Sequence, residues 1–426
     1  MAMARHVLSS RLIAGCIAML VCSNAQAAVL DSADAILGKL PFIPIPEIAT
    51  DPNSGTSYGL LPVVLFPNAD GDVGHVLAPD LNYNDVLGVG GTFRLFNYPS
   101  TDREWYVVAG GSEQIAREVD LDYAGGLTRE GPLSYEGRFY FARDPSPRFF
   151  GLGNDSAAGG ESNYTLEQVR GDVILGVNVT PRLQLSFEGR PRRIRIGRGA
   201  FTSVPFTGDL YPALPGLKGG TDGLTRLIAS YDTRDSTQVP TKGGMVALLG
   251  GGADEHLASS VSYATFGLDA RGYLPMGSRL TLAGHVRLQY VTGSGTLPFW
   301  MLSELGGVTT DETSAFGMPL GRGETWRGGG LGRYVDRNLF ATTLELRIRL
   351  FELTIAGARV TLEPAPFVDL GRVFARISDN PLRIDDLHPA GGIGFRALVR
   401  PFVVGYVDVG FGALGAEVFS GINYPF

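Results

Sequence analysis

Cysteine is nearly absent from this chain of 426 residues: only Cys16 and Cys22 occur. Both fall in residues 1–27, which carry basic Arg5 and Arg11, an apolar stretch from Leu12 to Val21, and Ala25-Gln26-Ala27 as a small-residue cleavage site. That order reads as a secretory signal peptide cleaved near Ala27. A lipoprotein reading of Ile13-Ala14-Gly15-Cys16 is weaker, because too little apolar chain separates Arg11 from Cys16. A mature chain starting near Ala28 has no thiol, which excludes disulfides, thiolate metal sites and a cysteine nucleophile.

Lysine is almost as scarce, with Lys39, Lys218 and Lys242 alone, so the positive charge is nearly all guanidinium. Loss of Arg5 and Arg11 moves the formal charge from −7 to −9. An acidic chain with scattered arginines lacks the concentrated basic face that nucleic-acid binding needs. After the leader the histidines are His75, His256, His285 and His388, too far apart for metal-ligand spacing. Only His285 sits mid-strand, and no serine is paired with it by sequence, so an embedded hydrolase is disfavoured and no cofactor is implied. Asn68-Ala69-Asp70-Gly71-Asp72 lacks the closing glutamate of a calcium loop and reads as a turn. Gly151-Leu152-Gly153 follows no strand-to-helix transition and carries no nucleotide-binding signal.

Long apolar runs are also missing. No stretch of eighteen or more follows the leader, so helical membrane spans are excluded. No helical period is sustained either. What replaces both is alternation at period two from about residue 57 to the end.

Residues 280–290 alternate Leu280, Leu282, Gly284, Val286, Leu288 and Tyr290 with Thr281, Ala283, His285, Arg287 and Gln289. Residues 342–350 set Leu344, Leu346, Ile348 and Leu350 against Thr343, Glu345, Arg347 and Arg349. An arginine facing mid-bilayer lipid costs about 2–4 kcal/mol, so the charged faces must look into a lumen. Glu188 and Arg190 (183–190), Glu136 and Arg138 (135–141), and Asp120 and Asp122 (119–124) follow the same rule. The expected lumen wall therefore includes Glu188, Arg190, His285, Arg287, Glu345, Arg347 and Arg349.

Strands are expected near 75–83, 86–96, 103–115, 118–127, 134–143, 164–179, 181–194, 221–231, 242–251, 259–273, 278–291, 338–351, 364–375, 391–399, 402–410 and 417–425. This is an all-β, antiparallel, up-and-down transmembrane barrel of sixteen strands over 57–426, after a short N-terminal periplasmic segment at 28–56. Tyr58 to Phe66 is a further strand-like run that leaves eighteen open. Short connections (128–133, 180, 274–277, 400–401) alternate with long ones (144–163, 195–220, 292–337, 376–390), as periplasmic turns and external loops do. The last nine residues alternate Val418, Ser420, Ile422, Tyr424 and Phe426 as a lipid-facing set against Phe419, Gly421 and Asn423. An aromatic ending of this kind, Ile422, Tyr424 and Phe426, reads as a C-terminal assembly signal.

The connection 292–337 is far longer than an unstructured loop usually is. It holds GRGETWRGGGLGRYVDR (321–337), with Arg327 among glycines. This segment resembles the sixth-loop motif of the bacterial surface antigen barrels, the superfamily of the Bam and Tam assembly barrels and two-partner secretion transporters. YDTRDSTQVPTKGG (231–244), FVDLGRVF (367–374), RFFGLGNDS (148–156) and GINYPF (421–426) resemble further stretches of that family in order.

The resemblance implies that the long sixth extracellular loop folds back into the barrel and that Arg327, followed by Gly328, contacts Asp369 on the second strand after it. It also implies an integral outer-membrane protein acting in protein translocation or membrane insertion. The implied partners are outer-membrane lipids, the barrel assembly machinery during biogenesis, and a separate periplasmic protein, since residues 28–56 hold no polypeptide-transport repeat. The alternative is a passive or gated porin-like channel or structural barrel. Two positions depart from the family pattern. Gly329 stands where the family has an aromatic, with Tyr334 the nearest tyrosine, and Pro425 precedes the terminal aromatic.

Overall fold

The computed structural model describes residues 43–51, 53–67, 73–293, 295–307, 314, 326–355, 358–399, 402–412, 414–421 and 424–426. The expected signal peptide 1–27 and residues 28–42 lie outside them, as does Ile422. One antiparallel sheet dominates, each strand pairing with its neighbours in sequence. The first strands are β1 (Ile43–Asp51), β2 (Gly55–Pro67), β3 (Val73–Leu77, resuming at Asp80–Asn84), β4 (Gly88–Ser100), β5 (Arg103–Ser112) and β6 (Arg117–Gly125). Then come β7 (Leu133–Asp144), β8 (Ser162–Asn178), β9 (Leu183–Arg198), β10 (Gly220–Asp232), β11 (Gly243–Ala253) and β12 (Tyr263–Pro275). The last are β13 (Leu280–Thr292), β14 (Asn338–Ile348, resuming at Glu352–Ile355), β15 (Ala358–Phe374), β16 (His388–Val399), β17 (Phe402–Gly412) and β18 (Gly415–Gly421). β1 lies beside β18, so first and last strands meet. Among the described residues no helix is long and apolar enough to cross a membrane.

Side chains on successive residues of a strand point to opposite faces, and here the faces are inverted relative to a water-soluble protein. Along β7, Leu133, Tyr135 and Phe139 are exposed whereas Ser134, Glu136 and Arg138 are buried. Along β8, Val169, Val173, Leu175 and Val177 are exposed while Arg170 and Asp172 are buried. The outer surface is apolar and the interior charged, which is the arrangement a barrel in lipid requires.

The strand count of sixteen is corrected to eighteen among the described residues. Tyr58 to Phe66 is part of β2, and β1 precedes it, so the sheet begins at Ile43 rather than at residue 57. Pro44 and Pro46 lie inside β1. In an antiparallel strand, alternate residues direct their N–H groups to the same neighbour, so two prolines two apart remove donors from one side only. The other ladder stays intact, and β1 pairs with β2 over its whole length, Ile43 opposite Val63 and Asp51 opposite Gly55.

The C-terminus also differs from expectation. β18 stops at Gly421, and Tyr424 and Phe426 do not face lipid: both are buried inside the barrel. Pro425 has no N–H to continue a ladder, which favours the departure of the chain from the wall.

The end of the barrel bearing the long connections is capped. Residues 145–161 and 295–307 bring Phe149, Phe299, Trp300, Met301 and Leu302 into one apolar cluster with Tyr164 of β8, against which Phe206, Tyr211, Leu214 and Leu217 of 199–219 pack. Rings of Phe149, Tyr164 and Phe299 meet at centroid distances of 5.1–5.5 Å, and the Trp300 indole N–H donates to the Gly216 carbonyl at 3.0 Å. Arg192 reaches up from β9 and stacks on Trp300.

Candidate functional site

The 293–337 connection brings Arg327 to the inner wall formed by β14 to β17. Arg327 is fully buried, as are Asp369, Glu345 and Asp408, each on a different strand. Its Nε and Nη2 donate to the two Asp369 carboxylate oxygens at 2.8 Å each, and its main-chain N–H donates to Oδ2 at 3.0 Å. Nη1 donates to Asp408 at 2.7 Å and to Glu345 at 3.1 Å. The guanidinium also lies over the Phe367 ring, 3.3 Å from its centroid. A bidentate fork of this kind fixes orientation as well as charge.

The carboxylates are shared. Arg396 of β16 donates to Glu345 at 2.9 Å and also binds Asp408, and Arg347 donates to Glu345 at 2.9 Å. Three acids thus face three arginines in a site with almost no solvent exposure. A single charge there would be strongly penalised by desolvation, while the matched set is held by mutual attraction and hydrogen bonds.

Backbone contact completes the seat. A Cβ at Gly410 would collide with the Arg327 carbonyl oxygen, and one at Gly412 with the backbone of Gly328. Only glycine lets the loop lie this close to β17. Gly328 in turn packs on the Trp326 ring and Ala390. Trp326, fully buried, donates its indole N–H to the His388 carbonyl at 2.9 Å and packs edge-on against Tyr334, which stacks on His388 at 3.8 Å. Gly329 carries no ring, and the aromatic fixing this loop is the residue before the arginine.

The remaining wall residues do not join this site. Glu188 pairs with Arg226, Arg190 with Asp222 at 3.5 Å, His285 with Asp269 at 3.1 Å, and Arg349 with Glu363 at 3.5 Å. Arg287 donates to Gln289 at 2.7 Å. All face inward, distributed around the barrel.

Asp408, Arg396 and Phe367 were missed from sequence. The available signal was one charge on an otherwise apolar strand, Asp408 in FVVGYVDVGFG and Arg396 in GGIGFRALV. Gly410 and Gly412, alternate residues on that same strand, mark the loop's line of approach.

At the opposite end of the barrel the ten-residue turn 233–242 also bends inward. Gln238 donates to Glu104 across the barrel at 3.1 Å, and Val239 packs on Leu398 and Tyr424. Asp235 ties the turn together, accepting from the Thr241 and Lys242 main-chain N–H groups at 2.9 and 3.1 Å and from the Thr241 hydroxyl. Partial burial pushes the Asp235 carboxyl up, but the donors of Thr241 and Lys242 outweigh it and hold its pKa below the ordinary aspartate value.

Among known proteins, the solved structure of BamA from Haemophilus ducreyi lacking POTRA domains 1-3 is similar at 13% identity and a TM-score of 0.49, over 93% of this chain and 78% of that one. CdiB from Escherichia coli gives 11% identity and a TM-score of 0.45, and CdiB from Acinetobacter baumannii 11% and 0.42. This chain covers 90% of itself in both alignments but only 62% and 65% of the CdiB chains, less than two thirds of their length. No curated protein matches the sequence. Residues 106–395, more than half of the chain, match the model of the Omp85 superfamily domain, and the chain belongs to that superfamily of outer-membrane barrels.

Proposed function

We propose that this barrel acts in translocation of polypeptides across the outer membrane or their insertion into it, together with a separate periplasmic partner. The observation that carries the reading is the seat of Arg327: a loop arginine held by carboxylates from β14, β15 and β17 ties a 45-residue connection to three strands of the wall. A loop pinned inside a lumen fits a barrel that is kept closed at rest and opened for cargo. The folded cap over one end and the inward turn 233–242 at the other support a closed resting state.

The test is single-channel conductance of the refolded protein in a planar bilayer, compared with a variant deleted for residues 300–330. A low, flickering conductance that becomes large and steady on deletion is the expected result. Large, steady conductance in both proteins would overturn the reading in favour of a porin-like channel on the superfamily's barrel.

A further inference from the structure

We propose that the outer wall of β6 to β9, at the end of the barrel bearing the long connections, holds a lipid whose headgroup carries two phosphates. On these strands odd-numbered residues face outward and even-numbered ones inward, as the exposure of Leu121, Phe139, Val173 and Phe187 shows. By that parity Arg117, Arg143, Glu167, Arg193 and Arg195 all lie on the outer face, and each of the four arginines is exposed. Arg117 of β6 stands directly opposite Arg143 of β7, Arg143 opposite Glu167 of β8, and Glu167 opposite Arg195 of β9. Four strands therefore carry one row of charge at one depth, with Arg193 two residues nearer the middle of the wall.

Within the protein this row is not balanced. Arginines in direct cross-strand opposition repel each other, and a single carboxylate answers four guanidinium groups. Glu167 reaches Arg195 at 3.1 Å and Arg143 at 3.6 Å. Arg117 turns its Nη1 to the main-chain oxygens of Ser112 and Ala116, and Arg193 makes no ion pair among the described residues. The outward positions of β10 to β13 carry no charge, so the row is local and not a habit of the whole wall. An outward arginine is costly at the middle of a bilayer and nearly without cost at its surface, which places the row among the headgroups. The counter-charge it lacks is then an anion in that plane.

Arginine forks match phosphate oxygens bidentately, and here they form two pairs, Arg117 with Arg143 and Arg193 with Arg195, on either side of Glu167. With neighbouring strands about 4.8 Å apart, the centres of the two pairs lie about 12 Å apart, the span of a two-sugar headgroup phosphorylated at both ends. Towards the middle of the wall from the row, Phe139, Val169, Val173 and Phe187 are exposed and offer an apolar surface to acyl chains. Gly171 stands opposite Phe139, and a Cβ there would meet nothing within 4 Å, which leaves a shallow trough between the larger side chains. A soluble anion would use the arginines and leave this apolar wall idle, whereas a phosphorylated lipid uses both. The strands β14 to β17 that seat Arg327 lie on the far side of the barrel, so the lipid steadies one half of the wall while the long loop bears on the other.

The test titrates the full chain, refolded in dodecyl maltoside micelles, against a fluorescent diphosphoryl lipid A and follows anisotropy. Saturable binding is expected, at least ten-fold weaker in the double variant Arg117→Gln with Arg143→Gln and, separately, in Arg193→Gln with Arg195→Gln. The single Arg193→Gln, which breaks no ion pair, is expected to weaken binding at least three-fold and covers the case of a double variant that does not fold, as judged by migration in unboiled gels. Arg103→Gln, which removes an exposed outward arginine at the opposite end of the wall, is expected to leave the affinity unchanged. Monophosphoryl lipid A is expected to bind at least ten-fold more weakly, and inorganic phosphate in large excess to leave the bound lipid in place. Equal weakening by Arg103→Gln would overturn the site in favour of general charge attraction, and equal affinity for the two lipids would overturn recognition of two phosphates. Displacement by inorganic phosphate would assign the arginines to a soluble anion and overturn the lipid. The readout is independent of conductance and of any transported cargo, so failure here leaves the translocation reading standing.

Discussion

At the scale of single residues, Arg327 is held on every polar edge of its guanidinium. Its fork grips Asp369 while its third nitrogen bridges Glu345 and Asp408. Arg327→Ala leaves three buried carboxylates facing two arginines, and removing one member of a buried pair costs about 3–5 kcal/mol. The expected outcome is a lower urea midpoint for unfolding in micelles, with Arg327→Lys giving only partial rescue because an ammonium cannot make the bidentate contact. Full recovery by lysine would show that charge alone matters. Gly410→Ala is expected to displace the loop without altering any charge. Protease cleavage within residues 326–337 should become faster by several-fold while the barrel itself still migrates as folded in unboiled gels. Unchanged cleavage would mean the loop tolerates the added Cβ.

At the scale of elements, the turn 233–242 is tied together by a carboxylate and is therefore open to acid. The Asp235 carboxylate has a depressed pKa, so its contribution to the turn is complete above the ordinary aspartate range, about 3.9, and is lost as pH falls through the lower folded value. An environment-sensitive dye on a Thr237→Cys variant is expected to report the turn leaving the lumen in that acid range. Asp235→Asn should show the released signal already at neutral pH and little further change on acidification. A transition near neutrality would assign the movement to another group.

At the scale of the whole molecule, the barrel is closed by different means at its two ends. Apolar packing of Phe149, Tyr164, Phe299 and Trp300 joins three loops at one end, whereas a turn and the chain's tail enter from the other. Loss of the first closure should need a large change. Phe299→Ala removes a fully buried ring and is expected to cost about 3–5 kcal/mol. Its measurable consequence is higher protease sensitivity of residues 145–161 and 199–219, with no effect on the turn 233–242. Concerted loosening at both ends would show that the two caps are coupled through the lumen.

The sequence by itself determined the wall. Alternation at period two separates lipid-facing from lumen-facing residues wherever a charge marks one side, and this is why the inward direction of Glu188, His285, Glu345 and Arg347 is legible in the sequence alone. The pairing of Arg327 with Asp369 came from a resemblance, since nothing local links residues 42 positions apart. Tertiary structure alone decided which carboxylates share one guanidinium, because Asp408 and Glu345 reach it from strands whose mutual register no single strand encodes. It also decided the fate of the tail. Period two predicted Tyr424 and Phe426 on the lipid face, and the pattern fails there because Pro425 cannot extend the ladder and Arg347 offers both rings a cationic surface inside. The strand β1 also needed its neighbour: with prolines at 44 and 46 it can hold its place only where β2 pairs with it along its length.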